Sequence, residues 1–249
     1  MKDYIKGIHK NAVVSDTSSI GFYTIVYEDV VIGDNVTIGN SVIIYPGTVI
    51  KENVSVGDHT ILGRPPVLSK SSTENRAGDF IPLVIQREAI IGAYVVINAG
   101  TTIGENATVA DGASVRERCR VGENSLVGRG AVLENDVLLG NRVKIQTGAY
   151  ITGYTVIEDD VFIAPKVVTT NDNYMGRTEK RFKEKKGPVI QRGARVGGNS
   201  LILPGVVIAP ETFIAAGSLV TRDTQRGKLY MGRPCKIVRE VPEEELLED

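Results

Sequence analysis

In three blocks between Ile8 and Val220 an Ile, Val or Leu returns at every sixth residue, and no other feature of this 249-residue chain constrains its fold as tightly. One series runs Ile8, Val14, Ile20, Val26, Ile32, Ile38, Ile44, Ile50, Val56. A second, in a new frame, is unbroken from Ile85 to Ile163, and a third runs from Ile190 to Val220. All 29 hexads carry the aliphatic residue, and four positions later 28 of the 29 carry Ala, Ser, Thr or Val, with Cys119 the exception. Three positions after the aliphatic residue, 18 of the 29 hexads have Gly, Asn or Asp, which tolerate the left-handed backbone of a sharp corner. Each hexad therefore reads as a short strand and a corner, with one small and one branched side chain turned inward. Three hexads per turn build a narrow all-β prism of about ten coils, roughly 48 Å long at ~4.8 Å per strand.

Composition removes several function classes. Twenty-nine Lys and Arg against 30 Asp and Glu leave a net charge of −1, with no global basic field for nucleic acid. No apolar run approaches the ~18–20 residues of a membrane span, and the N-terminal stretch from Met1 to Gly7 has no apolar core of a secretory signal. Cys119 and Cys235 form no CxxC pair, so a disulfide framework or cysteine zinc site is not expected. A cytoplasmic protein is the expectation.

The repeat is interrupted twice, at 63–84 and at 169–188, and function in a regular solenoid concentrates where regularity is abandoned. The second interruption holds Arg177, Lys180, Arg181, Lys183, Lys185 and Lys186 against Asp172, Glu179 and Glu184. Its half from Asn171 to Arg177 opens directly off a coil and is the candidate site. Its Lys-rich end, Lys183 to Lys186, reads as a solvated surface loop. Residues 1–225 are expected to form the prism and 226–249 a C-terminal turn and short helix, the acidic Glu240 to Asp249 acting as a cap.

On these hexads the chain resembles the hexapeptide-repeat family, which implies a left-handed parallel β-helix, most often a CoA-dependent acyltransferase working as a homotrimer. A narrower resemblance lies in Val143-Lys144-Ile145-Gln146, Ile157-Glu158-Asp159-Asp160-Val161-Phe162-Ile163 and Thr170-Asn171-Asp172. These look like nucleotide-sugar N-acetyltransferases, which acetylate the amino group of a nucleotide-linked deoxy sugar. The resemblance implies Asn171 and Asp172 beside the sugar amine, with Gln146, Tyr150, Tyr174 and Arg177 around the substrate. Gly217-Ser218-Leu219-Val220-Thr221-Arg222-Asp223 and Met231-Gly232-Arg233-Pro234 resemble the CoA-binding end. That implies acetyl-CoA held by Ala216, Gly217, Ser218, Arg222, Arg233 and Lys236. Arg233 departs from the Gly-Asn-Pro turn common there. Gly153, one 18-residue coil below Asn171, departs from relatives that carry a carboxylate.

The chemistry narrows further. Zinc-dependent relatives of this fold need three histidines, and this chain has only His9 and His59, so no metal is expected. His59 falls roughly five coils from Asn171, too far to serve it as a base. An alcohol must lose its proton as it attacks, whereas a neutral amine attacks a thioester directly. An amine acceptor is therefore favoured. A sugar O-acetyltransferase and a non-catalytic scaffold subunit are the alternatives.

Overall fold

The computed structural model describes residues 4–5, 7–67 and 81–247, and the expected prism is there. Thirty-one two- to four-residue strands, from Ile8–His9 to Leu219–Val220, distribute in rotation over three sheets, here faces A, B and C. Face A contains Val26, Ile44, Leu62, Ile97, Leu133, Ile151, Thr169 and Ile202 at its inward positions, and each strand pairs in parallel with the one a coil away. The chain passes from A to B to C and back to A through three columns of corners, called AB, BC and CA.

Faces A and C run to 12 strands and face B to 10, so two faces exceed the ten rungs expected. The added strands lie at the ends. Tyr4–Ile5 pairs antiparallel onto Ile8–His9, and a hairpin, Lys228–Gly232 with Cys235–Glu240, extends face C. That hairpin stands where a turn and short helix are expected. The acidic tail contributes only a 3-10 turn at Glu243–Glu245. The strands Ile61–Arg64 and Val168–Thr169 run just into the two expected interruptions, with Leu62 and Thr169 fully buried at their inward positions.

Close packing explains the six-residue rule. The inward aliphatic residues from Val26 to Val220 form one continuous column of buried side chains. From Tyr23 to Gly217 every third residue after them has positive φ, the two loop-bearing corners excepted. These corner positions include Tyr23, His59, Arg118, Arg142, Tyr154 and Lys166, so the corner is imposed by stacking and not by glycine alone. The buried hydroxyls have a separate task. Thr24 donates to Gly39 O (2.9 Å) and accepts from Val42 N (3.1 Å); Thr60, Thr101 and Ser125 repeat the bridge one coil at a time. Each occupies backbone groups that the corner leaves without a strand partner.

Cys119 stands in for such a hydroxyl, with Sγ 3.0 Å from Glu134 O. Burial is the main reason its thiol is pushed up to about 12, with Asp136 and Glu117 adding to the shift. Cys235 is half-buried, and both cysteines are free. A thiol reagent at pH 8 is expected to modify one cysteine, Cys235, in the folded protein and both after denaturation. Rapid native labelling of Cys119, read by peptide mass, would contradict this packing.

Candidate active site

Both loops leave the same column of corners. The first departs after Ile61–Arg64 and the second after Val168–Thr169, five rungs further along face A, which is roughly 24 Å. Residues 68–80 of the first lie outside the described residues.

The second loop is built from its own polar groups. Asn171 Nδ2 donates to Gly153 O at 3.2 Å, directly one coil below, and Asn171 O accepts from Lys186 N at 3.0 Å, which closes the loop base. Asp172 Oδ1 accepts from Tyr174 N (2.8 Å) and Oδ2 from Gly176 N (3.1 Å), while Arg181 Nε lies 3.5 Å from Oδ2. Burial pushes the Asp172 pKa up. The amides of Tyr174, Gly176 and Met175 together with Arg181 outweigh it, and the net shift is down. The carboxylate is therefore ionised at neutral pH. Tyr174 donates its hydroxyl to Glu184, whose carboxylate raises the tyrosine pKa. Arg177 N donates to Tyr174 O at 2.9 Å, and its side chain is exposed.

Asn171, Asp172, Tyr174 and Arg177 are thus brought together. Tyr150 lies on face A, pairing with Val168; burial raises its pKa first, and its hydrogen bond to Glu134 adds to the rise. Gln146 is at corner CA, across face A from Asn171. The expected cofactor residues are dispersed. Ala216 and Gly217 lie at corner CA, Arg222 at corner AB two coils above Asn171, and Arg233 and Lys236 in the terminal hairpin. Ser218 is fully buried and donates to Ala215 O at 2.7 Å, so its hydroxyl faces the core. Gly217 N donates to Gly198 O and Ser218 O accepts from Leu201 N, both within the coil ladder. None of the twelve expected residues lines either of two surface grooves, of about 490 and 440 Å³. On a single chain the site is an open corner and loop.

The basic half of the loop is more than solvated surface. Its short helix, Lys180–Glu184, supplies the Arg181 and Glu184 partners, and Lys185 Nζ lies 5.2 Å from the Tyr154 ring centre. A charge run with no apolar period carries no sequence signal for these pairings. The Glu158-Asp159-Asp160 corner is likewise engaged: Asp160 holds Arg142 at 2.6 Å, and Glu158 accepts from Arg192 N at 2.9 Å. His59 is exposed and stacks on Tyr94 at corner CA, five rungs from the second loop. Among the described residues no group of three His, Cys, Asp or Glu side chains could hold a metal, and no helix is long and apolar enough to cross a membrane.

Similarity to known proteins follows the repeat. A family model described as the hexapeptide repeat of succinyl-transferase matches residues 29–58, and one described as the GMPPB C-terminal domain matches residues 81–181. A Saccharomyces cerevisiae protein named as a candidate acetyltransferase is 38% identical over 93 residues, 36% of this chain and 47% of that protein. Galactoside O-acetyltransferase of Escherichia coli is 34% identical over 98 residues, again 36% of this chain and 47% of that protein. The chain spans about half the length of the curated relatives it matches. Among solved structures, UDP-N-acetylglucosamine O-acyltransferase of Moraxella catarrhalis aligns with 95% of this chain and 73% of its own, at 18% identity and TM-score 0.46. With a six-residue register in three blocks between Ile8 and Val220 and a hexapeptide-repeat model matched over residues 29–58, the chain is similar to hexapeptide-repeat proteins.

Proposed function

We propose that the chain is a CoA-dependent acetyltransferase that acetylates the amino group of a nucleotide-linked amino deoxy sugar. The observation that carries this reading is the Asn171–Asp172 corner: an ionised carboxylate held by backbone amides, with no histidine within five coils. A carboxylate with a lowered pKa is a poor general base and a good anchor for an N–H donor. Asp172 orients the amine and stabilises positive charge as nitrogen attacks the thioester carbonyl. The departing thiolate or water takes the excess proton, and backbone amides stabilise the oxyanion. Acetyl-transferring relatives, matched over part of their length, support the group transferred.

The working unit is a parallel homotrimer in the cytoplasm. Expected site residues divide between corners AB and CA of one chain, and a neighbour at the same height can unite them. Light scattering should return three times the 26.9 kDa chain mass, and a monomer would refute the shared site.

A second reading, sugar O-acetylation, is favoured by the similarity to galactoside O-acetyltransferase. Thiol release from acetyl-CoA, assayed against nucleotide-linked amino sugars and matched hydroxyl sugars, separates the two. Turnover confined to the amines is expected. Turnover confined to hydroxyl acceptors would replace the first reading with the second, and neither turnover nor CoA binding would leave a scaffold.

A further inference from the structure

On face C the outward positions of four successive strands are Lys144, Phe162, Arg195 and Phe213. Arg195 lies over the Phe213 ring, 4.9 Å from its centre, and donates from Nη1 to Glu245 Oε2 at 2.8 Å. Glu245 reaches it because Val241 is buried, its N–H bonded to Gly227 O, and the Glu243–Glu245 turn folds the tail back over the face. Nε and Nη2 of Arg195 are buried and have no acceptor.

Those two nitrogens form the side-on fork of a guanidinium, whose parallel N–H bonds match a carboxylate or phosphoryl group. This chain uses the fork elsewhere. Arg118 binds Asp136 through Nε at 2.7 Å and Nη2 at 2.6 Å, and Arg142 binds Asp160 through Nε at 2.6 Å and Nη2 at 2.9 Å. At Arg195 the tail satisfies one nitrogen and the better pair stays buried without partners, a costly arrangement for a charged donor. The contact with Phe213 offsets part of that cost. Beside it runs the groove of about 440 Å³, lined by Lys144, Phe162, Arg195, Glu245 and Leu247 among others. Two further carboxylates border the groove: Asp160, its charge taken up by Arg142, and the buried Glu211. Displacing Glu245 would leave Arg195 and Lys144 facing the opening with an aromatic ring between them.

We propose that Arg195 anchors a phosphoryl-binding site on face C, and that Glu245 is its built-in, displaceable occupant. The site lies on a different face from the Asn171 loop and does not depend on the acetyltransferase reading. A dianionic phosphoryl group takes both N–H bonds of the fork, gains Lys144, and releases the acidic tail. Its source is either free phosphate or a phosphate ester.

Calorimetric titration of the full chain at fixed ionic strength tests this, with inorganic phosphate in one arm and a nucleoside monophosphate in the other. Only binding lost in Arg195→Lys, which keeps the charge and loses the fork, is counted. Glu245→Gln should tighten phosphate about fivefold and Arg195→Lys should weaken it about tenfold. Hydrogen exchange across residues 241–247 should quicken at saturating phosphate. Tighter binding of the ester than of phosphate identifies an ester as the ligand; equal binding identifies free phosphate. Phosphate affinity unchanged in Glu245→Gln, with exchange in the tail unaltered, would overturn the proposal. That variant and the exchange measurement decide the matter even where Arg195→Lys folds poorly.

Discussion

Glu117→Ala is expected to destabilise the folded chain by about 3 kcal/mol, the low end for breaking a buried ion pair. Glu117 sits at corner AB with only 1% of its surface exposed. Its carboxylate receives Arg116 twice, Nε at 3.2 Å and Nη2 at 2.8 Å, and Asn98 Nδ2 at 3.2 Å. Removing it leaves a guanidinium whose one remaining acceptor of those named is Glu134, at 2.7 Å. The low end applies because Arg116 keeps 30% of its side chain exposed, and water partly replaces the lost partner. Arg116→Leu combined with Glu117→Leu should recover most of the loss, since desolvation of both charges is removed together. Urea unfolding monitored by circular dichroism reads both. A Glu117→Ala loss below about 1 kcal/mol would show that the pair contributes little.

The larger effect on activity is expected at Asp172. Asp172→Asn should lower turnover by roughly 10²-fold or more, a magnitude typical of a positioned acid–base or charge-bearing group. CoA affinity and assembly state should persist. The amide still accepts one backbone N–H, but its NH2 meets the second and the attraction to Arg181 is lost. The pH dependence has a definite sign. Because the folded pKa lies below the ordinary carboxylate value, the stabilisation of the loop is complete above that ordinary value and is lost as pH falls through the lowered one. The pH–rate profile between 5 and 8 should therefore show no acid limb from Asp172. His59→Ala, five rungs away, should leave turnover near wild type. An inactive His59→Ala beside an active Asp172→Asn would move the chemistry to the first loop.

The prism was legible because its signal is repeated: each hexad independently states one buried aliphatic residue, one small neighbour and one tight corner. Ile97 alone predicts nothing, whereas Ile85, Ile91, Ile97 and Ile103 in register predict a rung each. The ends were not legible. Lys228–Gly232 and Cys235–Glu240 pair once, antiparallel, and a single hairpin has no period to betray it. The candidate site was half legible. Asn171 and Asp172 stand out because they leave the repeat, and the contact from Asn171 to Gly153 bears out the 18-residue coil. Arg181 and Glu184 were hidden in a charged stretch, since which charges meet is decided by the fold of the loop. At Ser218 a motif resemblance marks a segment, while the inward phase of the hexad turns that side chain to the core.

The antiparallel strands at the two ends have a consequence for growth. A parallel solenoid presents at each end a fresh rung of unpaired amides and carbonyls, the template on which another copy could stack into a fibre. Here Tyr4–Ile5 reverses direction across the first rung of face A, and Cys235–Glu240 does so beyond the last rung of face C. An arriving copy meets an edge of the wrong polarity at each of those places. At each pole one face is thereby closed to in-register continuation of the parallel ladder, face A by Tyr4–Ile5 and face C by the hairpin.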